Sequence, residues 1–186
     1  FKINKSTAVK TPTLYELYGS DNFGYSGNPN LKPEEATTTD IGLSYNDSLT
    51  NLDIVYFTTD LDNALKYQSS TYVNDTAKSN RHGVELNMAR QLTNNLKTYS
   101  ATTFTIAEDS NGTELTRRPK WTNSTGLEHT HGQFTNIIEL DYVGSHKDID
   151  SSTYATIKKP SVSLTNFHST YTCLLYTSDA ADDLLC

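Results

Sequence analysis

Segments in which apolar and polar residues alternate with a period of two recur along the whole chain, and the connections between them are alternately short and long. Residues 40–45 set Ile41, Leu43 and Tyr45 against Asp40, Gly42 and Ser44. Residues 51–58 repeat this with Leu52, Ile54 and Tyr56, blurred by Val55 and Phe57. Residues 81–88 set His82, Val84, Leu86 and Met88 against Arg81, Gly83, Glu85 and Asn87. Residues 134–142 set Ile138, Leu140 and Tyr142 against Thr135, Ile137, Glu139 and Asp141. Weaker segments at residues 96–107, 118–128 and 161–171, together with the opening residues, complete eight predicted strands.

Short turns are predicted at residues 46–50, 93–95 and 130–133, and long polar connections at residues 10–33, 60–78, 108–116 and 146–160. A sandwich mixes loop lengths at both of its ends. A transmembrane barrel separates them, with short turns on the periplasmic side and long loops outside. The expected fold is all-β, an antiparallel transmembrane β-barrel. Its apolar face meets lipid, its polar face meets the lumen, and strand pairing satisfies every backbone N–H and C=O.

Composition agrees with such a wall. Only 35% of the 186 residues are apolar, while Thr, Ser and Asn supply 62, and a wide lumen uses those residues where a packed core could not. A net charge of −7 argues against nucleic acid as a partner. No run approaches the ~18 consecutive apolar residues of a membrane helix. Twelve Tyr and six Phe argue against disorder.

Eight strands can close a small barrel. Here the chain opens at Phe1 inside an alternating segment, without initiator Met or signal stretch, so a cut strand is predicted. From Cys173 the sequence Cys-Leu-Leu-Tyr-Thr-Ser-Asp-Ala-Ala-Asp resembles a translated sequencing adaptor. The expected division is residues 1–172 as partial barrel and residues 173–186 as a non-native tail. The alternative for the tail is an amphipathic segment with a Cys173–Cys186 bridge. Without it, 15 basic residues face 19 acidic ones and the chain has no cysteine.

Residues 7–45 carry two motifs: Pro12-Thr13-Leu14-Tyr15-Glu16-Leu17-Tyr18, and Gly27-Asn28-Pro29-Asn30-Leu31-Lys32-Pro33-Glu34. Further on come Gly83-Val84-Glu85 and Arg117-Arg118-Pro119. In kind and order these resemble the TonB-dependent receptors of the bacterial outer membrane, closest to the cobalamin and catecholate-siderophore types. The resemblance implies about eight consecutive strands of a plugged barrel of about 22. It implies an importer rather than an enzyme, without a cofactor, taking up a ferric siderophore or cobalamin. The implied partners are outer-membrane lipid, the receptor's own N-terminal plug, the TonB energy-coupling complex and a small-molecule chelate. It also implies that a strand begins at Glu34.

Several groups are candidate site residues. Tyr15, Tyr18, Phe23 and Tyr25 crowd the first long loop, where they could stack on a planar ligand or form the loop's own packing and the outer aromatic girdle. In the second motif, Gly27 and Asn28 are expected at left-handed turn positions, and Pro29 and Pro33 stiffen their neighbours; the motif shapes the rim or touches ligand. Tyr45, Tyr56, Trp121, Tyr142 and Tyr171 are expected near strand ends as interfacial anchors. By parity Glu85, Arg118, Lys120, Glu139 and Asp141 face the lumen, where they pair across the wall, grip the plug or line the path.

Glu128, His129 and His131 do not make a metal site, since the first two fall on opposite faces and His131 is expected in a turn. Asp60, Asp62 and Asn63 lack the spacing of a calcium loop. No catalytic constellation is present, which leaves an enzymatic barrel a distant reading. The other fold to weigh is a secreted or surface-anchored all-β adhesion domain, which would hide its apolar face against a second sheet.

Overall fold

The computed structural model describes residues 1–75, 78–109 and 111–172; the tail at residues 173–186 lies outside them. The main-sheet strands are β1 (Lys2–Lys10), β2 (Glu34–Asn46), β3 (Thr50–Asp62), β6 (Ser79–Thr93), β7 (Leu96–Glu108), β8 (Trp121–His131), β9 (Phe134–Val143) and β12 (Val162–Tyr171). The loops hold a helix, α1 (Leu14–Tyr18), and two hairpins, β4 (Leu65–Gln68) with β5 (Thr71–Asn74) and β10 (His146–Ile149) with β11 (Thr156–Lys159).

The eight main strands form one antiparallel meander, each paired with its sequence neighbour, and β1 and β12 are its edges. The three short turns lie together at one end. In the first, Asp47 folds the chain back: its carboxylate accepts from the Leu49 and Thr50 amides at 2.8 and 2.7 Å. Gly132 takes a φ of +58° in the third, a conformation costly for any residue with a Cβ. The four long connections leave from the opposite end.

The register confirms the two faces. Ile41, Tyr56, Val84, Phe104 and Trp121 form one outward row across five strands. Leu43, Ile54 and Leu86 form the next, and Tyr45, Leu52 and Met88 the third. Leu127, Ile138 and Phe167 continue the apolar band on the later strands. No second sheet covers this face among the described residues: Leu43 is 58% exposed and Phe167 65%. A sandwich would bury these side chains, whereas a barrel presents them to lipid.

The band has membrane dimensions. Between Trp121 and His131, β8 spans about 33 Å at ~3.3 Å per residue. At a tilt of roughly 40° that is about 25 Å of bilayer. Aromatic pairs mark its margins, with Phe104 and Trp121 centroids 4.7 Å apart at one side and Phe134 and Tyr171 4.9 Å apart at the other. Above Tyr56 the outward residues of β2, β3 and β6 become polar although the strands continue. There Asn80 donates to Asp60 at 2.8 Å and His82 Nδ1 lies 2.7 Å from Asn80 Oδ1. Tyr56, expected near a strand end, therefore sits within β3, at the height where the apolar band stops.

The outward face of β7 and β8 carries a polar patch inside the band. Asn123 donates to Ser100 and Thr102 at 3.2 and 2.7 Å, and Thr125 donates to Asn123 at 3.0 Å. Ser100 and Thr125 hydroxyls lie 2.9 Å apart. The four side chains satisfy one another, which is the condition for polar groups to sit in hydrocarbon.

Three expectations change. The strand expected from residue 118 begins at Trp121, so Arg118 and Lys120 precede it and owe their positions to the loop rather than to strand parity. His131, expected in a turn, closes β8 opposite Phe134, and its ring stacks on that of His129 at 6.4 Å. The long connections, read as plain polar loops, contain α1 and the two hairpins.

Candidate functional site

At the long-loop end, the first connection is organised around α1. Thr13 caps the helix: its hydroxyl accepts from the Glu16 amide at 3.2 Å, and Glu16 reaches back to the Thr13 amide at 2.6 Å. Glu16 in the first motif is thus one half of a capping box. The bond from the Thr13 backbone holds its carboxyl below the usual range. Leu14 and Tyr18, from the same turn, are left 78% and 69% exposed.

Tyr25 is the centre of the loop cluster. Its ring stacks on Tyr15 at 4.7 Å with planes 10° apart, and lies 6.2 Å from both Tyr67 and Tyr72 of the β4–β5 hairpin. Its hydroxyl donates to the Tyr15 carbonyl at 2.9 Å, and only 5% of the residue is exposed. Asp21 shapes the approach by accepting from the Phe23 and Tyr25 amides at 2.8 and 3.0 Å. The turn so formed puts Phe23 out to solvent, 96% exposed. Of the four aromatics singled out in the sequence, Tyr15 and Tyr25 are brought together, while Tyr18 and Phe23 point outward.

The second motif ties this loop to the hairpin. Asn28 donates its amide N–H to the Glu16 carbonyl at 2.9 Å and its side chain to the Tyr72 carbonyl at 3.1 Å. Lys32 and Asn74 exchange two bonds, at 2.7 and 2.9 Å. Leu31 is buried beneath the loop. Glu34, the first residue of β2 as the motif implied, accepts from the Leu65 amide at 2.7 Å and pairs with Lys10 at 2.8 Å. Gly27 and Asn28 are not left-handed, contrary to expectation. Gly27 is needed for another reason: a Cβ there would lie 2.6 Å from the Tyr18 backbone nitrogen, against the end of α1.

Tyr67 and Tyr72 were missed in the sequence. They face each other across a two-residue turn in which Ser69 and Ser70 both have positive φ, 51° and 63°. That is the geometry for which Asn-Gly is the usual signal, and Ser-Ser carries none.

The third and fourth connections are clamped to each other. Arg117, at a φ of +59°, donates its amide to the Lys147 carbonyl and its Nε to Asp148, both at 2.7 Å. The Arg117 guanidinium holds the Asp148 carboxyl below its ordinary value, as Lys120 does for Glu114. Arg118 donates to the Arg117 carbonyl at 3.1 Å, and Pro119 leads into β8.

Below the loops, Lys2, Asn4, Asp40, Asp53, Arg81 and Glu85 border a cavity of about 500 Å³ against the inward face. Gly83 of the third motif lies under the Phe57 ring, which has the Arg81 guanidinium 5.1 Å above it. A side chain at Gly83 would collide with that ring and with the Phe104 carbonyl. Glu139 accepts from the Tyr99 hydroxyl at 3.0 Å and Asp141 from Asn166 at 3.1 Å, so these inward acids are bound by neutral donors of the wall itself.

An open meander with a lipid-width apolar band, a polar inner face and built-up loops at one end defines the wall of an outer-membrane barrel of the receptor type. Residues 2–178 match the profile of the family described as "TonB dependent receptor-like, beta-barrel". The chain belongs to this family of bacterial outer-membrane transport proteins, which are not enzymes, and the adhesion-domain reading is not favoured. It is 30% identical over 161 residues to the vitamin B12 transporter BtuB of Vibrio cholerae serotype O1, covering 83% of this chain. It spans only 25% of that relative's length.

The fold is also that of the copper transporter OprC (TM-score 0.73, 19% identity, 92% of this chain and 28% of that one). A mutant of the ferric enterobactin receptor PfeA of Pseudomonas aeruginosa gives a TM-score of 0.74 at 17% identity, over 91% of this chain and 30% of that one.

Proposed function

We propose that this chain provides wall strands and outer loops of a TonB-dependent importer that captures a scarce metal chelate, a ferric siderophore or a cobalamin, from outside the cell. The observation that carries this reading is the joined platform of the first two loops. A tyrosine cluster centred on the buried Tyr25, together with the second motif, fixes them to each other at the long-loop end, leaving the rings of Tyr18 and Phe23 free to meet a ligand. Exposed aromatic rings on a rigid support bind planar or amphipathic molecules with little ordering cost. Tyr15 and Tyr25 support that surface and Tyr18 and Phe23 form it. The 30% identity to a vitamin B12 transporter supports the chelate class.

In this reading the inward charges around Arg81 and Glu85 face a plug domain. The plug moves when the TonB complex acts on it, and surrounding lipid covers the apolar band. Transport is binding followed by gating, with no bond made or broken. The test is uptake of cobalt-labelled cyanocobalamin and iron-labelled ferric chelates in a receptor-deficient Gram-negative strain expressing the full-length receptor. Accumulation that requires TonB is expected for at least one chelate. Uptake of none, or uptake indifferent to TonB, contradicts the proposal.

A further inference from the structure

The loop carrying Arg117 and Arg118 and the β10–β11 hairpin enclose a cavity of about 460 Å³. Arg118, Lys120, Lys147 and Lys158 line it, against a single carboxylate, Glu114. This concentration of positive charge stands in a chain whose net charge is −7. The nearby carboxylates are already engaged. Asp148 is held by Arg117, and Glu114 pairs with Lys120 and lies 3.9 Å from Lys147. Lys147 and Lys158 are register partners, directly opposite each other in the hairpin, and both border the cavity. Like charges so opposed destabilise a strand pair. An anion between them removes that penalty, and a concave, loop-walled site focuses their field on it.

We infer that this cavity seats an anionic arm of the transported chelate, a carboxylate or catecholate group, so that the cargo is a negatively charged ferric complex rather than a neutral corrinoid. Catecholates and α-hydroxycarboxylates bring two negative charges per chelating pair, so three pairs around ferric iron carry more charge than the metal cancels and the complex is an anion. Cyanocobalamin is neutral. Arg118 suits the role of principal contact because its fork can hold two oxygens at once. It also borders a second cavity, of about 220 Å³, with Thr59, Arg81 and Ala107 on the inward face. Arg118 thus stands between the seat and a further cation, Arg81, on the inward wall. The inference rests on the importer reading and narrows its cargo.

The test is equilibrium binding to the purified full-length receptor with three probes: ferric citrate, a ferric tris-catecholate and cyanocobalamin. At least one anionic probe is expected to bind, with affinity that falls as salt rises. Arg118→Gln with Lys158→Gln is expected to weaken it roughly tenfold or more, and Arg118→Lys with Lys158→Arg to keep most of it. If the double variant does not fold, Lys158→Gln alone and the wild-type salt dependence decide. Anionic binding unchanged by the neutral variants, or insensitive to salt, overturns the inference. Binding of cyanocobalamin alone overturns it while leaving the importer reading intact. Binding of none of the three also overturns the inference, and the uptake assay then decides the importer reading by itself.

Discussion

Gly83 and Asn123 show how single positions serve the wall in opposite ways. Gly83 gives up a side chain so that Phe57 can lie flat on the inward face, with Arg81 above the ring. Phe57 is one of the few apolar side chains in the described part of the chain that is well buried, at 6% exposure. Gly83→Ala must move either Phe57 or the β7 backbone. The expected cost is about 1–3 kcal/mol, the usual range for overpacking. Urea unfolding of the full-length receptor in lipid vesicles measures it, and a loss below about 0.5 kcal/mol, the level of a neutral surface change, would show that the contact yields easily. The Gly-Val-Glu motif was legible in the sequence as a family mark. Its physical reason was not, because Phe57 meets Gly83 only through the β3–β6 register.

At the scale of elements, what could be read depended on where each strand stands relative to the bilayer. All eight main strands were visible through period-2 alternation, but β2, β3 and β6 run well past the limits that alternation alone gave, and only the start of β2 was marked, by the motif ending in Glu34. Beyond Tyr56 the outward residues of β2, β3 and β6 are polar as well, so alternation ends although pairing does not. The start of β8 was placed early because Arg117-Arg118-Pro119 read as a strand opening, whereas Arg117 is left-handed and bonded to the neighbouring loop. Helix α1 went unread because five residues cannot show a helical period, although its Thr13 and Glu16 capping box was present in the sequence. In β7 and β8 the polar patch makes a separate prediction. Asn123→Ala strands the hydroxyl of Thr102 in the apolar band, leaves Ser100 and Thr125 only each other, and should cost about 1–2 kcal/mol. The same vesicle unfolding measures it, and a stabilised Asn123→Ala would mean that the patch does not face lipid.

Taken whole, the molecule is a wall with two different solvents. Its polar composition, unsuited to a packed core, becomes consistent once lipid is the apolar partner and the lumen the polar one. The loop platform and the basic cavity then stand at the long-loop end, the side from which the proposed ligand would arrive. Lipid-phase accessibility along β3 tests this two-faced wall most directly, using spin labels placed one at a time at residues 52–57 of the full-length receptor in liposomes. The account predicts high oxygen accessibility at Leu52, Ile54 and Tyr56 and low values at Asp53, Val55 and Phe57. The opposite phase, or no period of two, would contradict it.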